Sequence, residues 1–176
     1  MKETVIPELP LQGGLTSPED VAFKAEIDGT EQFYMEILPV GFDLDMKHDL
    51  IIGLHGHGSD RKQFALDPRS ECAAFREFAS KHGMIAITPD YRATTSWMGP
   101  KAEADVVQII KLLKKKHRIN KVFVIGGSMG GTSALTFATL HPDLVDGVTA
   151  MNSLANHLEF ENFQDAIADS FGGTKD

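Results

Sequence analysis

The chain has 176 residues, 42% of them hydrophobic and 24% charged, which is enough to bury one sizeable core and predicts a single domain over residues 1–176. A net charge of −8 and a pI near 5.3 argue against nucleic acid and membrane surfaces as partners, since both are negatively charged. One cysteine excludes an intrachain disulfide framework, and no apolar stretch approaches membrane-spanning length. We therefore expect a cytoplasmic protein, and nothing in the sequence demands a cofactor.

The apolar pattern predicts an antiparallel hairpin followed by strands that alternate with helices. The hairpin consists of Val21–Ile27 and Gln32–Leu38, which flank the turn residues 28–30. This order predicts an α/β fold with a mostly parallel sheet and helices on both faces. The later predicted elements are a strand at Asp49–Leu54, a helix from Ser70 to Gly83, a strand at Met84–Thr88, a helix from Pro100, a strand at Val122–Ile125, a helix from Gly130 and a strand at Leu144–Asn152.

The most informative segment is the pentapeptide at 126–130, which has the pattern G-x-S-x-G with Ser128 at its centre. An apolar strand precedes it and a run of small residues that opens a helix follows it. Strand, sharp turn and helix form the context of a nucleophile elbow, where the serine backbone is strained and flanking glycines let strand and helix pass closely. We predict that Ser128 is a catalytic nucleophile, which requires a general base within hydrogen-bond reach.

With these motifs the chain resembles the α/β-hydrolase superfamily, over about residues 21–160. Besides the elbow, the resemblance is carried by the loop His55-Gly56-His57-Gly58 after one strand and by Thr88-Pro89-Asp90-Tyr91-Arg92 after the next. The segment Ser96-Trp97-Met98-Gly99-Pro100, which leads into Ala104-Asp105, resembles the esterase and prolyl-oligopeptidase-like branch.

The resemblance implies an oxyanion hole made of backbone N–H groups. One donor is the residue after the nucleophile, Met129, and the second comes from the loop after the earlier strand, with His57 as the first candidate and Gly58 as the second. Two histidines two residues apart also allow a metal-site interpretation. No Asp, Glu or Cys stands at ligand spacing, so we predict no metal site and interpret His55 as a structural side chain that bonds nearby backbone.

Trp97 and Met98 follow an irregular loop and are expected near the carboxyl ends of the strands, where ligands bind in such sheets. Two interpretations are open. The two side chains form a wall of the substrate pocket, which makes them substrate-binding residues, or the aromatic ring closes the loop against the core.

No catalytic acid and base can be assigned from the sequence. In this superfamily they follow the nucleophile in the order Asp or Glu, then His, and only 48 residues follow Ser128. The segment His141-Pro142-Asp143 resembles the turn that ends the elbow helix, so His141 is not assigned as the base. His157 is an alternative base, but a pairing with Asp165 or Asp169 inverts the usual order. By resemblance, we expect the last strands and the acid and base of the triad to lie beyond the end of this chain, which makes the domain incomplete.

The leading functional prediction is a serine hydrolase, a carboxylesterase that forms an acyl-enzyme at Ser128 with a small-molecule or carbohydrate ester. One alternative is an inactive hydrolase-fold fragment or binding module. Another is a peptidase of the prolyl-oligopeptidase type, although the sequence lacks a Glu-rich amine-binding motif before the elbow.

The last predicted strand, Leu144–Asn152, is apolar, and an unpaired strand edge invites association with another chain. We therefore expect a homodimer, since a two-fold partner is the commonest way to close such a surface. The alternative is that residues 153–176 fold back and cover this edge, for which they have apolar side chains at Phe160, Phe163, Ile167 and Phe171.

Overall fold

The computed structural model describes residues 14–157 and 159–174, which form a six-stranded sheet and five helices. The strands are β1 (Glu19–Lys24), β2 (Glu31–Ile37), β3 (His48–Leu54), β4 (Ile85–Pro89), β5 (Ile119–Gly127) and β6 (Gly147–Met151). The helices are α1 (Lys62–Leu66), α2 (Ser70–Lys81), α3 (Pro100–Lys116), α4 (Met129–Leu140) and α5 (Gln164–Phe171). None of these helices has the length and apolar composition needed to cross a membrane.

The sheet is mixed, with the strand order β1-β2-β4-β3-β5-β6. β1 and β2 form the predicted antiparallel hairpin, and β2 also runs antiparallel to β4. The remaining neighbours are parallel, so the carboxyl ends of β3, β5 and β6 meet at one edge of the sheet. The predicted hairpin followed by a mostly parallel sheet is confirmed.

The central strand β3 shows why helices must lie on both faces. Leu50, Ile52 and Leu54 point to one core, where α3 and α4 pack. Ile51 points to the other core, together with Phe64 of α1 and residues of α2. A strand that is buried on both faces has a continuous apolar sequence, as β3 does. The predicted helices on both faces are confirmed.

The C-terminal residues fold back over the loop that precedes α3. Gly99 donates a backbone hydrogen bond to the Ser170 hydroxyl at 3.0 Å, and Phe160 and Ile167 pack against the larger core. β6 lies at the edge of the sheet with β5 as its neighbour, and its Val148 stays 42% exposed. The C-terminal residues therefore fold back, as the alternative to the homodimer predicts, but they leave Val148 of β6 partly exposed.

An ion-pair network, buried at Asp105 and exposed at Asp28, joins the hairpin turn, the loop after β4 and helix α3. Arg92 donates to Asp105 at 2.6 Å and to Asp28 at 3.0 Å. Asp105 is 1% exposed, and its second carboxylate oxygen is buried without a hydrogen-bond partner among the described residues. Burial raises the pKa of the Asp105 carboxyl to about 6, and Arg92 offsets only part of this effect.

The raised pKa of Asp105 gives a pH-dependent stability. The Asp105 carboxyl binds its proton more tightly in the folded chain than in the unfolded chain. The protonated carboxyl therefore makes its full contribution to stability below about pH 4, and that contribution is lost as the pH rises through about 6. Between pH 4 and pH 7, we expect the wild type to lose about 1–3 kcal/mol of unfolding free energy relative to the Asp105→Asn variant. Denaturant unfolding at several pH values measures it. A shift in favour of the wild type would show that the Arg92 ion pair dominates instead.

Candidate active site

Ser128 lies in the turn between β5 and α4, as predicted. Its backbone angles are φ 54° and ψ −124°, a conformation that costs an L residue about 1–3 kcal/mol. Neighbouring backbone holds this turn, because the Ser128 N–H donates to the Met151 carbonyl at 2.9 Å and the Ser128 carbonyl accepts from Thr132 at 3.0 Å. The side chain is exposed at the tip of the turn. The predicted strained strand-to-helix turn at Ser128 is confirmed.

The glycines around the serine are required by the close approach of backbone segments. A Cβ on Gly126 would collide with the Gly130 carbonyl, and a Cβ on Gly130 would collide with the Leu54 carbonyl of β3. A Cβ on Gly131 would come within 2.8 Å of the Ser153 side chain. The first turn of α4 therefore lies closer to the sheet than residues with a Cβ atom would permit. This close approach places Ser128 at the carboxyl ends of the strands.

The candidate oxyanion donors lie on two segments, the start of α4 and the loop after β3. Met129 is the first residue of α4, where the N–H has no carbonyl partner within the helix. The His57 N–H also donates to none of the described residues. The Gly58 N–H donates to the Thr94 carbonyl at 2.8 Å, so it is already occupied. This corrects the prediction of Gly58 as a donor and leaves His57 and Met129 as candidates.

His55 is a buried structural side chain, as interpreted from the sequence. Its Nδ1 lies 2.9 Å from the Gly56 carbonyl oxygen, and its Nε2 lies 3.1 Å from the Asp90 carbonyl oxygen. Burial lowers the pKa of the imidazole, which favours the neutral ring. Among the described residues, no three or more His, Cys, Asp or Glu side chains are grouped so as to hold a metal ion.

A cleft of about 620 Å³ opens beside Ser128, between the loop after β3 and the carboxyl ends of β5 and β6. His57 and Gly58 line it, as expected from the resemblance. Sequence reasoning missed five other polar residues in its wall. They lie in the loop after β3, in the unpredicted α1 or just after it, at the start of α2, and directly after β6: Ser59, Gln63, Arg69, Glu71 and Asn152. Arg69 forms an ion pair with Asp67 at 2.6 Å.

Trp97 and Met98 are core residues that do not line this cleft. They are 2% and 1% exposed, both with positive φ. The Trp97 ring packs against His57, His157 and Phe163, with ring centroids about 6 Å apart. Its indole N–H is buried without a hydrogen-bond partner among the described residues. This placement favours the interpretation of an aromatic ring that closes the loop over that of a pocket wall.

No described side chain makes a hydrogen bond to the serine hydroxyl as a general base would. The Ser128 hydroxyl makes no hydrogen bond to the described residues, and neither His141 nor His157 lines its cleft. His141 lies at the end of the elbow helix, with its Nε2 2.9 Å from Glu103, which fits the predicted turn. His157 packs on Trp97 and Phe171, and both its ring nitrogens are buried without partners in the described chain. Burial lowers the pKa of His157.

The chain belongs to the α/β-hydrolase fold family, whose model matches residues 54–176. No curated protein is similar enough in sequence to count as a relative. Among solved structures, the chain is similar to a ferulic acid esterase of Anaeromyces mucronatus (TM-score 0.67, 18% identity, 89% of this chain and 62% of the esterase). It is also similar to the fluorophosphonate-binding serine hydrolase F of Staphylococcus aureus (TM-score 0.68, 18% identity, 93% and 68%).

An S-formylglutathione hydrolase of Staphylococcus aureus is a further neighbour, with a TM-score of 0.66, 17% identity and coverage of 88% of this chain and 67% of that one. At such identities these likenesses show the fold. The chain spans about three-fifths of the length of the ferulic acid esterase.

Proposed function

We propose that this chain is a serine hydrolase of esters that forms an acyl-enzyme at Ser128. The observation that carries the proposal is a strained, exposed elbow serine in a cleft that the His57 loop also lines, next to the first N–H of an elbow helix. The Ser128 oxygen attacks the ester carbonyl, and the His57 and Met129 N–H groups stabilise the oxyanion. The serine hydroxyl gives up its proton to water as the new C–O bond forms. Collapse of the tetrahedral intermediate breaks the ester C–O bond, and the departing alkoxide takes up a proton and leaves as the alcohol. Water then hydrolyses the acyl-serine, which yields the acid and restores the serine hydroxyl.

The proposed substrates are small-molecule or carbohydrate esters. The structural neighbours include a ferulic acid esterase and an S-formylglutathione hydrolase, which supports the choice of a hydrolase that acts on esters. In the cleft wall, Gln63 and Asn152 supply neutral polar groups that suit a hydroxylated substrate better than an apolar one.

A second candidate function is a hydrolase-fold binding module without turnover. It is favoured by one observation, that no described side chain is hydrogen-bonded to the Ser128 hydroxyl as a base. A serine hydroxyl without a base is a weak nucleophile at neutral pH.

A fluorophosphonate probe separates the two candidates, because it reacts with activated serines. We expect one adduct per chain, which peptide mass spectrometry will locate on Ser128 and not on Ser59 in the wall of the same cleft. An unlabelled chain, or labelling spread over several serines, would favour the binding module.

We further propose that two copies of the chain associate through β6. Val148 is 42% exposed, and beside it an apolar groove of about 460 Å³ runs between β5, β6 and α2, with Phe78 in its wall. Antiparallel pairing of two β6 edges has two-fold symmetry and would cover both features.

Light scattering over a range of concentrations tests this association. We expect a mass near twice 19.2 kDa for the wild type and a monomer for Val148→Lys. A monomeric wild type at every concentration would reject the dimer.

A further inference from the structure

Hydrogen bonds hold three consecutive peptide units in the loop after β3, and among the described residues one N–H of these units has no partner. In the first unit, the His55 carbonyl accepts from the Tyr91 hydroxyl at 2.6 Å, and the Gly56 N–H donates to Gln63 Oε1 at 2.8 Å. In the second unit, the Gly56 carbonyl accepts from the Ser59 N–H at 3.1 Å.

The third unit is tied as well, because its N–H belongs to Gly58 and donates to the Thr94 carbonyl. Between the first and third units, the His57 N–H has no partner among the described residues. A trans peptide directs its N–H and C=O in opposite directions. The bond that holds the Gly56 carbonyl therefore directs the His57 N–H away from Ser59.

This loop cannot hold its geometry by backbone preference alone. Gly56 accepts many backbone conformations, and Gly58 has a φ of 79°, so the peptide planes between them can rotate at little cost. The Gln63 side chain is the group that binds the N–H of Gly56. Losing this bond would leave the peptide plane that precedes the His57 amide held by a single described hydrogen bond, that of the Tyr91 hydroxyl to the His55 carbonyl.

Gln63 is suited to this task because helix α1 is itself anchored. Arg61 directly precedes α1 and makes two hydrogen bonds of 2.9 Å to the Asp90 carboxylate. Its backbone N–H donates one and its guanidinium donates the other. The Thr88 hydroxyl donates to the Arg61 carbonyl. A short helix without a side-chain cap is only marginally stable by itself. The hydrogen bonds of Arg61 to β4 and to the loop after it therefore fix the position of the Gln63 backbone.

We propose that Gln63 is a positioning residue, which holds the Gly56 amide so that the next amide, that of His57, is aimed at the oxyanion. This inference rests on the proposed function of Ser128. Gln63 acts through the loop backbone and takes no part in bond making. Its oxygen must face the Gly56 N–H, because that contact needs an acceptor.

The experiment compares three variants. Gln63→Leu removes the acceptor and keeps the size, Gln63→Glu keeps an acceptor oxygen, and Gln108→Leu is the matched control. Gln108 makes the same kind of bond far from the cleft, since its Oε1 accepts from the Glu26 N–H at 2.8 Å and it is 8% exposed.

We expect Gln63→Leu to lower the maximal rate of Ser128 acylation by p-nitrophenyl acetate about 10–100-fold, a part of what the loss of one oxyanion donor costs. The half-saturating ester concentration should change by less than about threefold, since the amide acts in the transition state. Gln63→Glu should retain most of the rate, and Gln108→Leu should retain all of it in the folded protein.

Amide hydrogen exchange by NMR gives a readout that does not depend on activity. In Gln63→Leu the Gly56 amide should exchange at least about tenfold faster, with Gly58 much less affected. Unchanged Gly56 exchange, or an acylation rate equal to that of the Gln108→Leu control, would overturn the proposal. If wild-type Ser128 is not acylated at all, the proposed function fails, and Gly56 exchange alone decides whether Gln63 orients this loop.

Discussion

Mixed with p-nitrophenyl acetate, the chain is expected to release about one equivalent of p-nitrophenol in a burst, and Ser128→Ala is expected to abolish that burst. The activated phenol leaves readily, so an elbow serine beside two N–H donors can be acylated. Deacylation needs an activated water, and no described side chain is hydrogen-bonded to the Ser128 hydroxyl as a base. The steady rate after the burst should therefore stay within about 10³–10⁴-fold of the uncatalysed reaction.

Rapid-mixing absorbance measurements at several enzyme concentrations test this expectation. Ser133→Ala is the control, because Ser133 follows in the same helix but is fully buried, and this variant should keep the burst. A burst that survives Ser128→Ala would place the nucleophile elsewhere. Fast steady turnover that depends on Ser128 would reveal an unassigned base, and His157→Gln would be the first variant to measure.

The largest effect on stability is expected from Gly130→Ala. The added methyl group would collide with the Leu54 carbonyl and lie close to that of His55, so backbone rather than a flexible side chain would have to move. Overpacking against backbone in a rigid core should lower the free energy of unfolding by about 3–5 kcal/mol.

Gly127→Ala is the matched control on the other side of the serine. Its nearest neighbour, the Met151 carbonyl oxygen, lies 3.9 Å from the added Cβ, and its φ is not positive. We expect its unfolding free energy to stay within about 1 kcal/mol of the wild type. Guanidinium unfolding followed by circular dichroism measures both variants. Equal losses in the two would contradict the argument that the glycine pattern records close backbone approach.

The elbow could be predicted from the sequence because local and long-range requirements coincide in one short segment. The apolar strand, the glycines and the small-residue helix each constrain the same turn, and the strained backbone of Ser128 follows from them. The hairpin and the two-faced sheet follow from apolar periodicity in the same way.

Helices α1 and α5 were not predicted, for physical reasons. They have five and eight residues, too few for a clear helical period, and neither has a side-chain cap. α1 depends on bonds from Arg61 to Asp90, 29 residues away, which no local pattern reveals. The polar cleft wall that begins at Gln63 was missed for the same reason.

The occupation of the Gly58 N–H and the burial of Trp97 also lay beyond sequence reasoning. Adjacent amides in a glycine-rich loop are equivalent until the partners of each are known, and Thr94, which occupies Gly58, comes from another loop. The burial of Trp97 is decided by rings from the C-terminal segment, Phe160 and Phe163 among them.

Trp97 is the only tryptophan in the chain, so all indole fluorescence of the molecule comes from this one side chain. Its indole is buried against His57, whose amide is an oxyanion candidate, and against Phe163 of the segment that folds back over it. Indole emission shifts to longer wavelength when water reaches the ring. Any ligand or substitution that lifts the C-terminal segment will therefore be visible in the emission spectrum of the unlabelled protein, separately from global unfolding followed by circular dichroism.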